Sequence, residues 1–148
     1  MIRPRPAAPV ANEGTPAMTA QSQPATPRGY RIVRPPERLD GSGQGLVRDF
    51  GVSGSTAGST HLSMARGVVP PGAVSARHYH PFETAVYIVA GEARSYFGAR
   101  DEEWVDVGAG DFVYIPAGLP HKTASIGDTP VEYVLARAAP EDVVIAAE

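Results

Sequence analysis

The sequence predicts an all-β sandwich or barrel on residues 29–148, behind a disordered N-terminal tail over residues 1–28. Three observations lead there. Gly and Pro number 16 and 15 of 148 residues, about a fifth of the chain against roughly 12% in average proteins, which leaves little room for long helices. From Tyr30 onward the chain is a succession of short β-prone runs closed by Gly, Pro or Asp, the spacing of a sandwich or barrel and not of a βαβ fold. No segment repeats at a fixed period, so one barrel is expected and not two.

The tail is rich in Pro and Ala, with Pro4, Pro6, Pro9, Pro16, Pro24 and Pro27 set among Ala, Thr, Ser and Gln and no apolar period. Such a segment cannot bury enough surface to offset its ordering entropy. Met18 opens the stretch MTAQSQ and is a second candidate start of translation beside Met1. Strands are then expected over residues 30–33, 46–52, 60–69, 74–80, 84–90, 92–97, 103–107, 112–115, 121–126, 131–138 and 143–146. Residues 40–59, rich in Gly and Ser, are expected to be irregular in part.

Charge and cysteine content narrow the chemistry. A formal net charge of −3 with no basic cluster argues against a nucleic-acid partner. No apolar run reaches the roughly 18 residues of a membrane span, and the N-terminus lacks the apolar centre of a secretory signal, so a cytoplasmic protein without a membrane partner is expected. With no cysteine, thiolate ligands and thiol nucleophiles are excluded. A metal would have to bind through His, Asp or Glu.

There are four histidines, His61, His78, His80 and His121. His78 and His80 lie two apart in a β-prone run, so both imidazoles project from one face of a strand, as two ligands of one ion require. A third ligand must come from another strand, and His121 follows the Pro116-Ala117-Gly118 turn where a new strand should begin. His61 has no neighbour in sequence that would complete a ligand set and is read as a surface histidine. Tyr87, Tyr96, Phe97, Trp104 and Tyr114 are read as barrel core and sheet-packing residues.

Two stretches resemble the paired motifs of the cupins. Gly72, five residues, His78-Tyr79-His80, then Glu83 and Gly91 resembles the first; Gly110, five residues, Pro116-Ala117-Gly118, two residues, His121 matches the second at every spacing. Together they span residues 72–125. The resemblance implies a double-stranded β-helix, or jelly-roll, barrel with its ligands inside, one divalent metal ion near the mouth (Fe, Mn, Ni, Zn or Cu) and a homodimer.

The match departs from the family at two positions. Counting back from Gly91, the usual glutamate position is Thr84, and Glu83 stands one residue earlier. A one-residue slip turns a strand side chain to the opposite face, although a bulge near Pro81-Phe82 would restore Glu83. Two ligand shells are therefore expected as alternatives: His78, His80, His121 and Glu83, or the three histidines alone. Ser125 stands where the second motif usually has Asn. Thr123 and Ser125 share the parity of His121, and with Thr84 they are candidate substrate contacts. Arg66, Arg94 and Arg137 are strand cations able to bind a carboxylate bidentately, with an exposed sheet-face position the commoner role for each.

The resemblance implies a mononuclear metal-dependent protein acting on a small oxygenated molecule. An oxygenase-type metalloenzyme, a dioxygenase in particular, is the leading expectation. The alternatives are a non-redox cupin (an isomerase, cyclase or lyase with Zn or Ni) and a non-catalytic cupin that binds a small ligand.

Overall fold

Strict alternation along two strands organises the molecule. In the computed structural model, which describes residues 29–34, 41–42, 46–98 and 100–148, β3 (Ser63–Val69) and β10 (Val131–Arg137) pair antiparallel from Ser63 opposite Arg137 to Val69 opposite Val131. Along β10, Val131, Tyr133, Leu135 and Arg137 are buried while Glu132 and Ala136 are exposed. Period-2 patterning of this kind puts one face of a sheet on a core and the other toward water.

The other described elements are β1 (Gly41–Ser42), β2 (Leu46–Val52), α1 (Gly54–Ala57), β4 (His78–Tyr79), β5 (Thr84–Ala90), β6 (Glu92–Phe97), β7 (Glu103–Gly108), β8 (Phe112–Ile115), β9 (His121–Ser125) and β11 (Ile145–Ala146). They form a six-stranded sheet in the order β1-β2-β3-β10-β5-β8 and a five-stranded sheet in the order β11-β4-β9-β6-β7. Leu46, Ala65, Ile88, Val131, Tyr133 and Leu135 of the first sheet cluster with Ala93 of the second. This is the all-β jelly roll expected from the sequence. Contacts group residues from Arg31 to Glu148 into one unit; the tail expected over residues 1–28, with Met18, lies outside the described residues.

Several expected strands are absent or shorter, and the stretch expected to be irregular in part holds a helical turn. Residues 30–33 form no strand; Tyr30 and Ile32 are exposed, and β propensity without a packed face does not hold a strand. The strand expected over 74–80 shortens to β4, with Val74 making one isolated bridge to Ala124. Residues 54–57, within the stretch expected to be irregular, form a helical turn capped by the Ser53 hydroxyl, which accepts from the Thr56 amide at 3.2 Å. Beside that turn the Gly54 amide donates to the Pro140 carbonyl at 2.8 Å, tying down the C-terminal segment that reaches the site.

Most of the large aromatics expected in the core lie outside it. Thr84, Val86 and Ile88 of β5 face inward, so Ala85, Tyr87 and Val89 face out. Tyr114 and Trp104 are likewise exposed, and Phe112 is 82% exposed on the edge strand β8.

Candidate metal centre

His78 and His121 are directly opposed residues of β4 and β9, and His80 follows β4 by one residue on the same face. Their rings lie 4.5 to 5.6 Å apart between centroids. One ring nitrogen from each can be chosen so that all three lie within 4.8 Å of one another, and all three residues are buried. The turn expected to aim His121 does so: Gly118 takes a left-handed φ of 76°, and its amide donates to the His80 carbonyl at 2.8 Å. That bond ties the two motifs together.

Backbone carbonyls fix the tautomer of each ring. Nδ1 of His78 bonds Ala76 O at 2.8 Å, Nδ1 of His80 bonds Val143 O at 2.7 Å, and Nδ1 of His121 bonds Leu119 O at 2.9 Å. A carbonyl oxygen only accepts, so each Nδ1 carries the proton and each Nε2 keeps a lone pair, the second-sphere arrangement of histidine metal ligands. Burial keeps the rings neutral, pushing His80 down to about 3 and His121 to about 4 and lowering His78 as well; the carbonyl bonds oppose this, and the Arg137 charge adds to it. The group can therefore hold a divalent ion.

Glu83 does not join the three. No bulge re-aims it, because Pro81 and Phe82 are bends and β5 begins at Thr84. Its carboxylate instead accepts from the Tyr114 hydroxyl at 2.6 Å on an exposed face. Thr84 lies inside, 3% exposed, and with the histidines it lines a cavity of about 90 Å³ between the sheets. Thr123 lines it too, as its parity predicts. Ser125 is buried but is absent from the lining; it sits one strand repeat deeper, opposite Ala93.

Comparison with known proteins places this arrangement. A family model described as a cupin domain matches residues 65–137, and an uncharacterized protein of Methanocaldococcus jannaschii is 32% identical over 103 residues, covering 70% of this chain and 78% of the relative. The chain belongs to the cupin family. Similar solved structures include a Bacillus subtilis oxalate decarboxylase (TM-score 0.62, 23% identity, 74% of this cupin and 30% of that chain). A Lactobacillus farciminis oxalate decarboxylase in complex with formate has the same score and identity over 77% and 33%. An oxalate oxidase in complex with glycolate scores 0.61 at 22% identity over 71% and 56%. This cupin thus spans only about a third of the decarboxylase chains, and at these identities the likeness is one of fold.

The exposed sheet-face position expected as the commoner role of Arg137 is corrected. Arg137, 4% exposed, lines the cavity, and its Nη2 donates to His80 Nε2 at 3.1 Å. Arg48 of β2 lines it as well and was not singled out. The signal was present in Leu46-x-Arg48-x-Phe50, where an arginine shares strand parity with two residues of the core. Arg94 and Arg66 stay outside. Arg94 makes a two-pronged bond to Asp106 at 2.6 and 2.8 Å with its guanidinium 3.9 Å over Trp104, and Arg66 lies 3.8 Å from Asp49.

Proposed function

We propose that this cupin is a mononuclear metal-dependent enzyme of the oxygenase type, acting on a small oxygenated molecule inside the barrel. The observation that carries the reading is the convergence of three buried imidazoles, each with its Nδ1 bonded to a backbone carbonyl so that Nε2 keeps a lone pair. His78, His80 and His121 are the proposed ligands, and the bond between Glu83 and Tyr114 supports the shell without Glu83. A divalent ion held there supplies Lewis acidity toward a chelating substrate, and one-electron chemistry with O₂ when it is redox-active. Imidazole donors suit Fe, Mn, Ni, Zn and Cu alike; Mn(II) centres are described for the Bacillus subtilis oxalate decarboxylase.

The chain's own residues supply orientation and exclusion of water. Thr84 Oγ1 is buried without a protein partner at the cavity wall, and a buried hydroxyl of that kind is an available contact for a substrate oxygen. Thr123 is the proposed second contact. Val86, Ile88 and Leu135 supply apolar wall beside the polar and charged side chains that also line the cavity.

The test is metal analysis with a spectrum of the bound ion in protein from its native host, followed by assay with and without O₂. A redox-active ion and O₂-dependent turnover are expected. Turnover that persists without O₂ refutes the oxygenase reading and leaves a Zn or Ni isomerase, cyclase or lyase. The Arg137 bond to His80 Nε2 favours one further alternative, a non-catalytic small-ligand-binding cupin, because it satisfies a ligand atom without metal. Protein that retains no metal and gains no activity when metal is added would establish that alternative.

A cytoplasmic homodimer is proposed in addition. Tyr114 and Phe112 on the edge strand β8 are exposed, and an uncovered edge bearing aromatics invites isologous pairing. Light scattering that returned the 15.5 kDa of one chain would refute it.

A further inference from the structure

The cavity holds more positive charge than it balances. Arg48 and Arg137 are the charged residues among the described residues lining it, and none of those residues is a carboxylate. Their side chains are 7% and 3% exposed. The counter-ion they share is Asp142, from the segment after β10: Arg48 Nη1 donates to its Oδ2 at 3.2 Å, and Arg137 Nη1 donates to its Oδ1. One carboxylate against two guanidiniums leaves one positive charge over, and the neutral imidazoles add nothing to offset it. Nε of both arginines is buried with no hydrogen-bond partner. A buried cation left without a full complement of acceptors is costly, and a divalent ion on the histidines would widen the imbalance.

We infer that the cavity is built to take a small carboxylate, received by the Arg48 and Arg137 guanidiniums beside the three histidines. The inference rests on the reading of this cavity as the substrate site and names the class of substrate. A carboxylate supplies the missing negative charge and the paired acceptors that a planar guanidinium fork matches. The cavity volume of about 90 Å³ and its apolar walls restrict the ligand to a few heavy atoms beyond the carboxylate. Asp142, a quarter exposed at its side chain, bridges the two arginines and so positions both forks.

The probes are acetate, the neutral isostere acetamide, and inorganic phosphate, titrated into metal-free and Zn(II)-loaded protein by NMR, with the Thr84 and Thr123 amides as reporters. Acetate is expected to bind at least about tenfold more tightly than acetamide, and Arg48→Gln to remove about that factor while leaving bound zinc unchanged. Acetamide binding within about threefold of acetate, phosphate binding as tightly as acetate, or an Arg48→Gln protein that binds acetate like the wild type would each overturn the inference. If Arg48→Gln does not fold, the acetate-to-acetamide ratio on the wild-type chain decides. Zinc binding without preference for acetate removes this inference and leaves the metal reading. Preference for acetate in a protein that takes up no metal does the reverse.

Discussion

Arg137 stands with Nη2 3.1 Å from Nε2 of His80, so a guanidinium caps the same lone pair that a metal ion would use. A cation and a hydrogen-bond donor cannot share it. Arg137→Leu removes both the competing donor and a nearby positive charge, and Asp142 keeps Arg48 as its partner. Zinc affinity is expected to rise on the order of tenfold in Arg137→Leu, read by competition with a chelator. Unchanged or weaker zinc binding would show that the Arg137 bond does not oppose the metal.

How far the site could be read from sequence depended on whether the signal was local. His78-Tyr79-His80 declares a shared face by strand parity, and the Pro116-Ala117-Gly118 turn declares where β9 starts, so the three histidines and the jelly roll were legible. Glu83 against Thr84 was undecided, because a single bulged residue reverses the outcome and nothing in the sequence fixes whether Pro81-Phe82 bulges or bends. Arg48 and Asp142 lie 94 positions apart and meet only in the fold. Tyr87, Tyr114 and Trp104 are exposed because strand parity, and not aromatic character, sets the face that each takes.

Glu83→Gln separates the two ligand shells. With the Glu83 carboxylate engaged by Tyr114 on an exposed face, the substitution should leave bound metal per chain unchanged. The cost in stability should stay within about 1 kcal/mol, as for other exposed hydrogen bonds. Loss of metal in a folded Glu83→Gln protein would place this carboxylate in the shell after all.

Gly67 makes room for Tyr133. The two are opposed residues of β3 and β10, and a Cβ at Gly67 would fall on the Tyr133 ring, well inside van der Waals contact. Because Tyr133 is buried and lines the cavity, Gly67→Ala must push the ring inward or part the strands. We expect a loss of about 1–3 kcal/mol in chemical unfolding, the range of overpacked cores. Wild-type stability in Gly67→Ala would show that the ring moves freely.

The buried histidines make the metal-free protein acid-sensitive above the range where carboxylates titrate. His80 and His121 are held near 3 and 4 in the folded chain, against an ordinary value of 6.5 once unfolded. Between pH about 6.5 and 4 the unfolded chain therefore binds protons that the folded chain refuses, so stability falls as pH falls and is fully present above that window. Each of the two contributes a slope approaching about 1.4 kcal/mol per pH unit once its unfolded form is protonated, and the lowered His78 acts in the same direction. Urea unfolding of metal-free protein between pH 7.5 and 5 should show this decline, and His80→Asn should remove one histidine's share of it. Bound zinc should deepen the decline, since protons then compete with the ion as well as with the fold. A metal-free protein equally stable at pH 7.5 and pH 5 would mean that the three rings take up protons as readily folded as unfolded, and the cavity would then be open to water.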